Sequence, residues 1–242
     1  MGGSLPALVY PKDGLQNKMY VRGRIDRLDL VKDANASLYL NVIDYKSGNL
    51  NAKMQDFLLK AYNGLSLQLL TYLNALHNLS KTKLQVADLH LAPDLLEKLG
   101  ISADTLLNLG SVSYLQLLDP IFDVKDLQQG KAQKNISQKY VYQGLYRCAD
   151  DPSSLDENSY LQALDIKLKQ AAQNKKAGES MSYPLKFESG SQSFKAKNQS
   201  KLLTLNQFNE LLLLNDLKLN EARKQIFEGV IDLAPYKLKD NT

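Results

Sequence analysis

A chain of 242 residues with 44% hydrophobic content is long enough for one sizeable core and too apolar to be disordered. Its net charge of +4 is compatible with a polyanionic partner but specific to none. A single cysteine, Cys148, excludes an internal disulfide framework and a cysteine-ligated metal cluster, no apolar run reaches membrane-spanning length, and the N-terminus lacks the apolar core of a signal peptide.

Met1-Gly2-Gly3-Ser4 reads as a cloning remnant, so the chain is expected to be a piece of a longer protein and residues 5–242 a single domain. Leu5 to Lys18, with Pro6, Pro11 and Gly14, reads as an irregular or edge segment. Met19–Leu30 and Leu38–Lys46 are strand-like, and the short polar link Asp33–Ser37 suggests an antiparallel hairpin. Val42-Ile43-Asp44-Tyr45-Lys46-Ser47-Gly48 has the apolar, β-branched start of a buried strand that ends at a glycine turn. Side chains alternate along a strand, so Asp44 and Lys46 share one side. In the hairpin Asp26 lies beside Asp44. Two adjacent carboxylates repel unless a cation sits between them, and oxygen ligands with a hydrated open position suit Mg2+. The same alternation sets Arg24 on Asp26's side as a phosphate clamp. It leaves Arg27 as a structural residue and Asp29 as a partner for an Arg or Lys.

Met54–Tyr62 reads as a short helix. Leu65–Leu79 is a longer one, with Leu65, Leu69, Tyr72, Leu73 and Leu76 at helical spacing and Ser66 as a candidate cap. Gln68 and Tyr72, four apart, stack on one face of it. Residues 84–109 are expected to form one or two short helices, a helical insertion between the core motifs at 19–80 and the remaining sheet and helices at 111–236. Ser111–Leu118, ended by Asp119-Pro120, is strand-like. So is Lys139–Arg147, where Lys139, Tyr140, Tyr142, Tyr146 and Arg147 interleave basic and aromatic side chains. That strip is either a surface for single-stranded DNA or an ordinary exposed strand. Tyr160–Ala171 reads as helix, Gln173–Tyr183 as loop and Leu185–Lys195 as extended. Thr204–Phe227 is a long Leu-rich helix capped by Thr204 and stopped by Gly229, and Val230–Tyr236 is a candidate last strand. His77 and His90 are expected at the surface or in the core, not as ligands.

Three segments in this order, Gly23-Arg24-Ile25-Asp26-Arg27-Leu28-Asp29, Ile43-Asp44-Tyr45-Lys46-Ser47-Gly48 and Tyr62–Leu73, resemble the PD-(D/E)xK nuclease superfamily in its RecB-like branch. They are closer still to the C-terminal nuclease domain of the B subunit (AddB/RexB) of helicase–nucleases. The resemblance implies a restriction-endonuclease-like α/β (α+β) fold, a central mixed sheet flanked by helices with a helical insertion and a long C-terminal helix. It implies a Mg2+-dependent deoxyribonuclease, with Mn2+ able to substitute. The catalytic residues would be Asp26, Asp44 and Lys46. The metal would be held by Asp26, Asp44 and the Tyr45 carbonyl, with Arg24, Gln68 and Tyr72 supporting the metal-site strand and DNA. It further implies 5′-to-3′ exonuclease action on single strands during double-strand-break resection and recombinational repair, in the bacterial cytoplasm. The partner would be an A subunit (AddA/RexA) carrying helicase motors and a second nuclease; no G-x-x-x-x-G-K-[ST] occurs in this chain itself. Related B subunits continue past such a tail into an iron–sulfur cysteine cluster, and none is expected within this chain. The chain departs from the family before Met19, where an upstream His and acidic ligand are usual and Asp13 is the only acid. The alternative is therefore a catalytically incomplete DNA-binding or scaffold fragment of the same complex.

Overall fold

A computed structural model describes residues 7–12, 17–47, 54–79, 83–117 and 141–230. Its centre is a five-stranded mixed sheet. Strands β3 (Arg27–Lys32) and β4 (Leu38–Lys46) form an antiparallel hairpin with Arg27 opposite Ile43 and Lys32 opposite Leu38. The turn is closed by Asp33, whose Oδ1 accepts the Asn35 and Ser37 amides at 2.9 and 2.8 Å while Oδ2 accepts the Ser159 hydroxyl at 2.6 Å. After β4 come helices α1 (Phe57–Tyr62) and α2 (Gln68–His77), a 3-10 turn at Val86–Leu89 and helix α3 (Pro93–Leu99). They form the crossover that a parallel partner requires, and β5 (Leu107–Gln116) then pairs parallel to β4. Strand β6 (Gln143–Arg147) is antiparallel to β5.

Helices α4 (Ser159–Leu164) and α5 (Ile166–Gln173) follow, then a three-stranded antiparallel sheet of β7 (Gly178–Glu179), β8 (Leu185–Glu188) and β9 (Ser193–Ala196). Strand β10 (Lys201–Leu203) completes the central sheet, in the order β10-β6-β5-β4-β3. The chain turns at once into α6 (Leu205–Phe227), whose capping box pairs the Thr204 hydroxyl with the Gln207 amide and the Gln207 side chain with the Thr204 amide. Strands β1 (Leu8–Tyr10) and β2 (Met19–Val21) form a separate antiparallel ribbon.

The period of two along β4 divides the core. Leu38, Leu40 and Val42 face one side with Leu69, Leu70, Leu73 and Leu76 of α2 and Phe208 and Leu212 of α6. At roughly 1.5–3 kcal/mol for each large apolar side chain fully buried, the four α2 leucines are the main force seating that helix on the sheet. A second cluster gathers Tyr146, Tyr160, Leu161 and Leu168 with Leu185, Phe187 and Phe194 of the small sheet.

The fold class matches the expectation, and several details correct it. Met19–Leu30 is not one strand. Val21 ends the ribbon with β1, residues 22–25 lie in no ladder, and β3 begins only at Arg27. Ser66 does not cap α2. It has a left-handed backbone (φ 56°), and Leu67 at the N-cap position makes no side-chain cap. Residues 107–109 belong to β5, where they pair with Leu38–Leu40. Tyr160–Ala171 breaks at Asp165, whose extended backbone lets its side chain accept the Lys167 amide and start a new helix. Tyr146 is fully buried and Tyr142 stacks on Tyr183, so these two aromatics do not form an open strip for bases. Gly48, Leu118–Pro120, Lys139–Tyr140 and the expected strand beyond Val230 lie outside the described residues.

Candidate active site

The core-facing row of β4 changes character at its C-terminal end. After Leu38, Leu40 and Val42 the same face carries Asp44 and Lys46. Asp44 is only 2% exposed. Its Oδ2 forms an ion pair with the Lys46 ammonium yet has no hydrogen-bond partner. Lys46 Nζ instead donates to Gln68 Oε1 at 2.7 Å. Gln68, the first residue of α2, donates from Nε2 to Asp44 Oδ1 at 3.1 Å and to the Tyr72 hydroxyl at 2.7 Å. Both of its amide hydrogens and its carbonyl are committed, which fixes the orientation of the group. The sequence pairing of Asp44 with Lys46 and of Gln68 with Tyr72 is therefore one connected cluster.

A tyrosine that sequence reasoning missed closes the cluster. Tyr114 on β5 lies opposite Asp44, and the Lys46 ammonium sits 5.3 Å from its ring centroid, within cation–π range. Burial first, then the charge of Asp44, holds the Tyr114 phenol far above its ordinary pKa. Ser111–Leu118 reads as a strand from sequence, but the register that aligns residue 114 with residue 44 is set by the long crossover.

Asp26 occupies the bend just before β3 and is exposed. Its Oδ2 accepts the Tyr45 amide at 2.8 Å, which pins the carboxylate against the end of β4. Continuing the β3–β4 register by one residue sets Asp26 across from Asp44. Arg24 is exposed on the irregular segment 22–25, so strand alternation does not place it beside Asp26. Arg27 and Asp29 pair with each other through two contacts of 2.7 and 2.8 Å, so the Arg or Lys partner expected for Asp29 is Arg27. His77 and His90 are exposed. Among the described residues no three His, Cys, Asp or Glu side chains gather into a metal site.

Those donors suit a hard cation. Asp44 Oδ2 is a buried carboxylate oxygen that faces positive charge and lacks a hydrogen bond. Asp26 is exposed beside it, and Mg2+ characteristically takes one or two carboxylates and keeps several waters.

Helix α2, which delivers Gln68 and Tyr72, is clamped by a second polar group. Asp216 of α6 accepts at Oδ1 from the Tyr10 hydroxyl at 2.5 Å and Asn74 Nδ2 at 2.6 Å, and pairs with Lys12 through Oδ2. Burial first, then the hydrogen bond to Asp216 and its charge, push the Tyr10 phenol far up. Between α2 and the irregular segment lies a cleft of about 240 Å³ that shares Gln68 and Tyr72 with the cluster.

The segment that holds this cluster also carries a family match. The model of the PD-(D/E)XK nuclease superfamily matches residues 4–177. The chain belongs to the PD-(D/E)XK nuclease superfamily. It is 31% identical over 240 residues to the B subunit of an ATP-dependent helicase/deoxyribonuclease of Lactiplantibacillus plantarum, covering 98% of this chain and 17% of that protein. It is 34% identical over 238 residues to the protein of the same name in Limosilactobacillus reuteri, covering 98% of this chain and 15% of that protein. The Bacillus cereus counterpart is 31% identical over 239 residues, covering 98% and 17%. The chain thus spans less than a fifth of the length of these relatives. PD-(D/E)XK nucleases generally use divalent metal ions. Among the described residues of this PD-(D/E)XK domain, no helix is long and apolar enough to cross a membrane.

Proposed function

We propose that this PD-(D/E)XK domain hydrolyses DNA phosphodiesters with Mg2+, as a 5′-to-3′ exonuclease on single strands. It would act within a cytoplasmic bacterial helicase–nuclease that resects double-strand breaks, beside a helicase-bearing A subunit. The observation that carries the reading is the cluster of Asp44, Lys46 and Gln68 with the Asp26 carboxylate tethered to Tyr45. Asp26, Asp44 and the Tyr45 carbonyl are the proposed ligands of the ion. When bound it would lower the pKa of water and neutralise phosphoryl oxygens.

The chain's own groups do the positioning. Lys46 presents its ammonium to the scissile phosphate, where it orients the attacking water or offsets charge that builds in the transition state. Gln68 and the Tyr114 ring hold that ammonium, so little reorganisation is needed when the phosphate arrives. Asp26, exposed at its bend, is open to solvent and substrate, whereas Asp44 is buried. Arg24, on the exposed segment before Asp26, contributes a phosphate contact.

A second reading, a catalytically incomplete DNA-binding scaffold, is motivated by one observation: Lys46 already neutralises Asp44, and no third acidic or histidine ligand joins them among the described residues. Calorimetric titration with Mg2+ or Mn2+ in the presence of single-stranded DNA separates the two. The nuclease reading predicts a binding heat that disappears in Asp44→Asn. No heat with the unsubstituted chain would favour the scaffold.

A further inference from the structure

The cleft beside the cluster has a composition that catalysis alone does not explain. Leu8 and Val21 of the β1–β2 ribbon and Ile25 supply apolar surface on one side, and Tyr72 and Ala75 face them from α2. Arg22 also lines it. Residues 22–25 pass close over the helix, since a Cβ built on Gly23 would come within 3.4 Å of the Tyr72 ring. The hydrogen bond from Gln68 anchors the Tyr72 hydroxyl, which fixes where the side chain ends. At about 240 Å³ the space falls below the roughly 300–1,000 Å³ of pockets for drug-sized ligands. It is on the scale of one flat ring system.

We propose that this cleft seats a single unpaired nucleobase, from a nucleotide next to the scissile phosphate. The proposal rests on the nuclease reading and adds to it a substrate subsite. Three features favour that occupant. The cleft is lined by Gln68 and Tyr72, and Gln68 also holds the Lys46 ammonium proposed to act on the phosphate, so a nucleotide bound at one reaches the other. An aromatic side chain among apolar neighbours, as Tyr72 is here, is the kind of surface on which bases of single strands stack, whatever their sequence. Arg22 adds positive charge where the attached phosphodiester must run. A base still paired within a duplex has both neighbours and partner attached and does not enter such a slot. The cleft thereby selects single strands.

The test is a binding measurement in EDTA, which needs no catalysis. Fluorescence anisotropy at fixed salt compares a short oligothymidylate with an oligomer of the same length built from abasic tetrahydrofuran nucleotides, which keeps every phosphate and removes every base. The chain is expected to bind the thymidylate about tenfold or more tightly than the abasic oligomer. Ala75→Leu fills the cleft from α2 and Val21→Phe fills it from the opposite wall. Each should lower thymidylate binding toward the abasic value and leave abasic binding unchanged, while Ala75→Ser retains the preference. Circular dichroism and urea unfolding check each variant, and either filled variant suffices if the other does not fold. Equal binding of the two oligomers by the unsubstituted chain, or full preference in a folded filled variant, overturns the proposal. Failure of the nuclease reading is seen elsewhere, in cleavage that survives Asp44→Ala, and leaves this binding result unaffected.

Discussion

Replacing Lys46 with methionine removes the cation that, among the described residues, pairs with Asp44, and keeps most of the side-chain volume. In the folded chain the Asp44 side chain is 3% exposed and that of Lys46 20%. After the substitution Asp44 keeps one hydrogen bond, from Gln68, and Gln68 Oε1 loses the Lys46 donor. Stranding one member of a fully buried ion pair costs about 3–5 kcal/mol. Lys46 is partly hydrated, which lowers the expected cost to roughly 2–3 kcal/mol. For a domain of this size that is a fall of roughly 4–12 °C in Tm. Asp44→Asn added to Lys46→Met removes the stranded charge and should recover most of the loss. Mg2+ should then stabilise Lys46→Met more than the unsubstituted chain, because the ion no longer competes with the ammonium. At a hundred times its Kd the gain is about 2.7 kcal/mol. Urea unfolding followed by circular dichroism, in EDTA and in Mg2+, reads all four values. A Lys46→Met chain as stable as the original in EDTA, or a double variant no better than the single, would refute this electrostatic account of the site.

Gly144 permits the close pairing of β6 with β5, since a Cβ there would lie 2.1 Å from the Val112 carbonyl oxygen and 2.6 Å from Ser113 Cα. Gly144→Ala should cost about 3 kcal/mol or more, and a Tm within a degree of the original would contradict the close approach. Asp216→Ala leaves the buried Tyr10 hydroxyl and Asn74 amide without their shared acceptor. The expected loss is about 2–4 kcal/mol in urea unfolding, and an unchanged midpoint would show that the clamp does not hold α2. Burial, and next the Asp150 charge, pushes the Cys148 thiol up against the opposing pull of Arg147. A raised pKa leaves less thiolate at neutral pH, so Cys148 should react with a disulfide reagent more slowly than free cysteine. A rate equal to that of the free amino acid would count against it.

Much of the site was legible because its signals are local. Asp44 and Lys46 are two apart on a strand, and Gln68 and Tyr72 four apart on a helix. Period alone places each pair on one face, and the structure then joins the two pairs through Gln68. Thr204 is likewise read as a helix cap from its place before the Leu-rich run, whereas its partner Gln207 and the pairing of Arg27 with Asp29 come from the structure. The break after Val21 was not legible. V-R-G-R-I-D-R-L alternates well enough to pass for one strand, and what ends β2 is its pairing with Leu8–Tyr10, a partner that no local pattern names. Tyr114 was missed for a similar reason, since its place opposite Asp44 follows from a parallel register set across the whole α1–α3 crossover. Tyr146 alternates like an exposed aromatic, but the second core built by α4, α5 and the small sheet encloses it. Where an element's role depends on a distant partner, periodicity cannot supply it.

The proposed chemistry meets its most direct test in the proposed two-subunit helicase–nuclease, with any nuclease activity of the partner subunit inactivated. The measurement is the release of nucleotides from end-labelled single-stranded DNA, with Mg2+ and with EDTA. Cleavage by the B subunit should require the ion and should fall by several orders of magnitude in Asp44→Ala, Asp26→Ala and Lys46→Ala alike. Undiminished cleavage by Asp44→Ala or by Lys46→Ala would place the hydrolytic centre elsewhere.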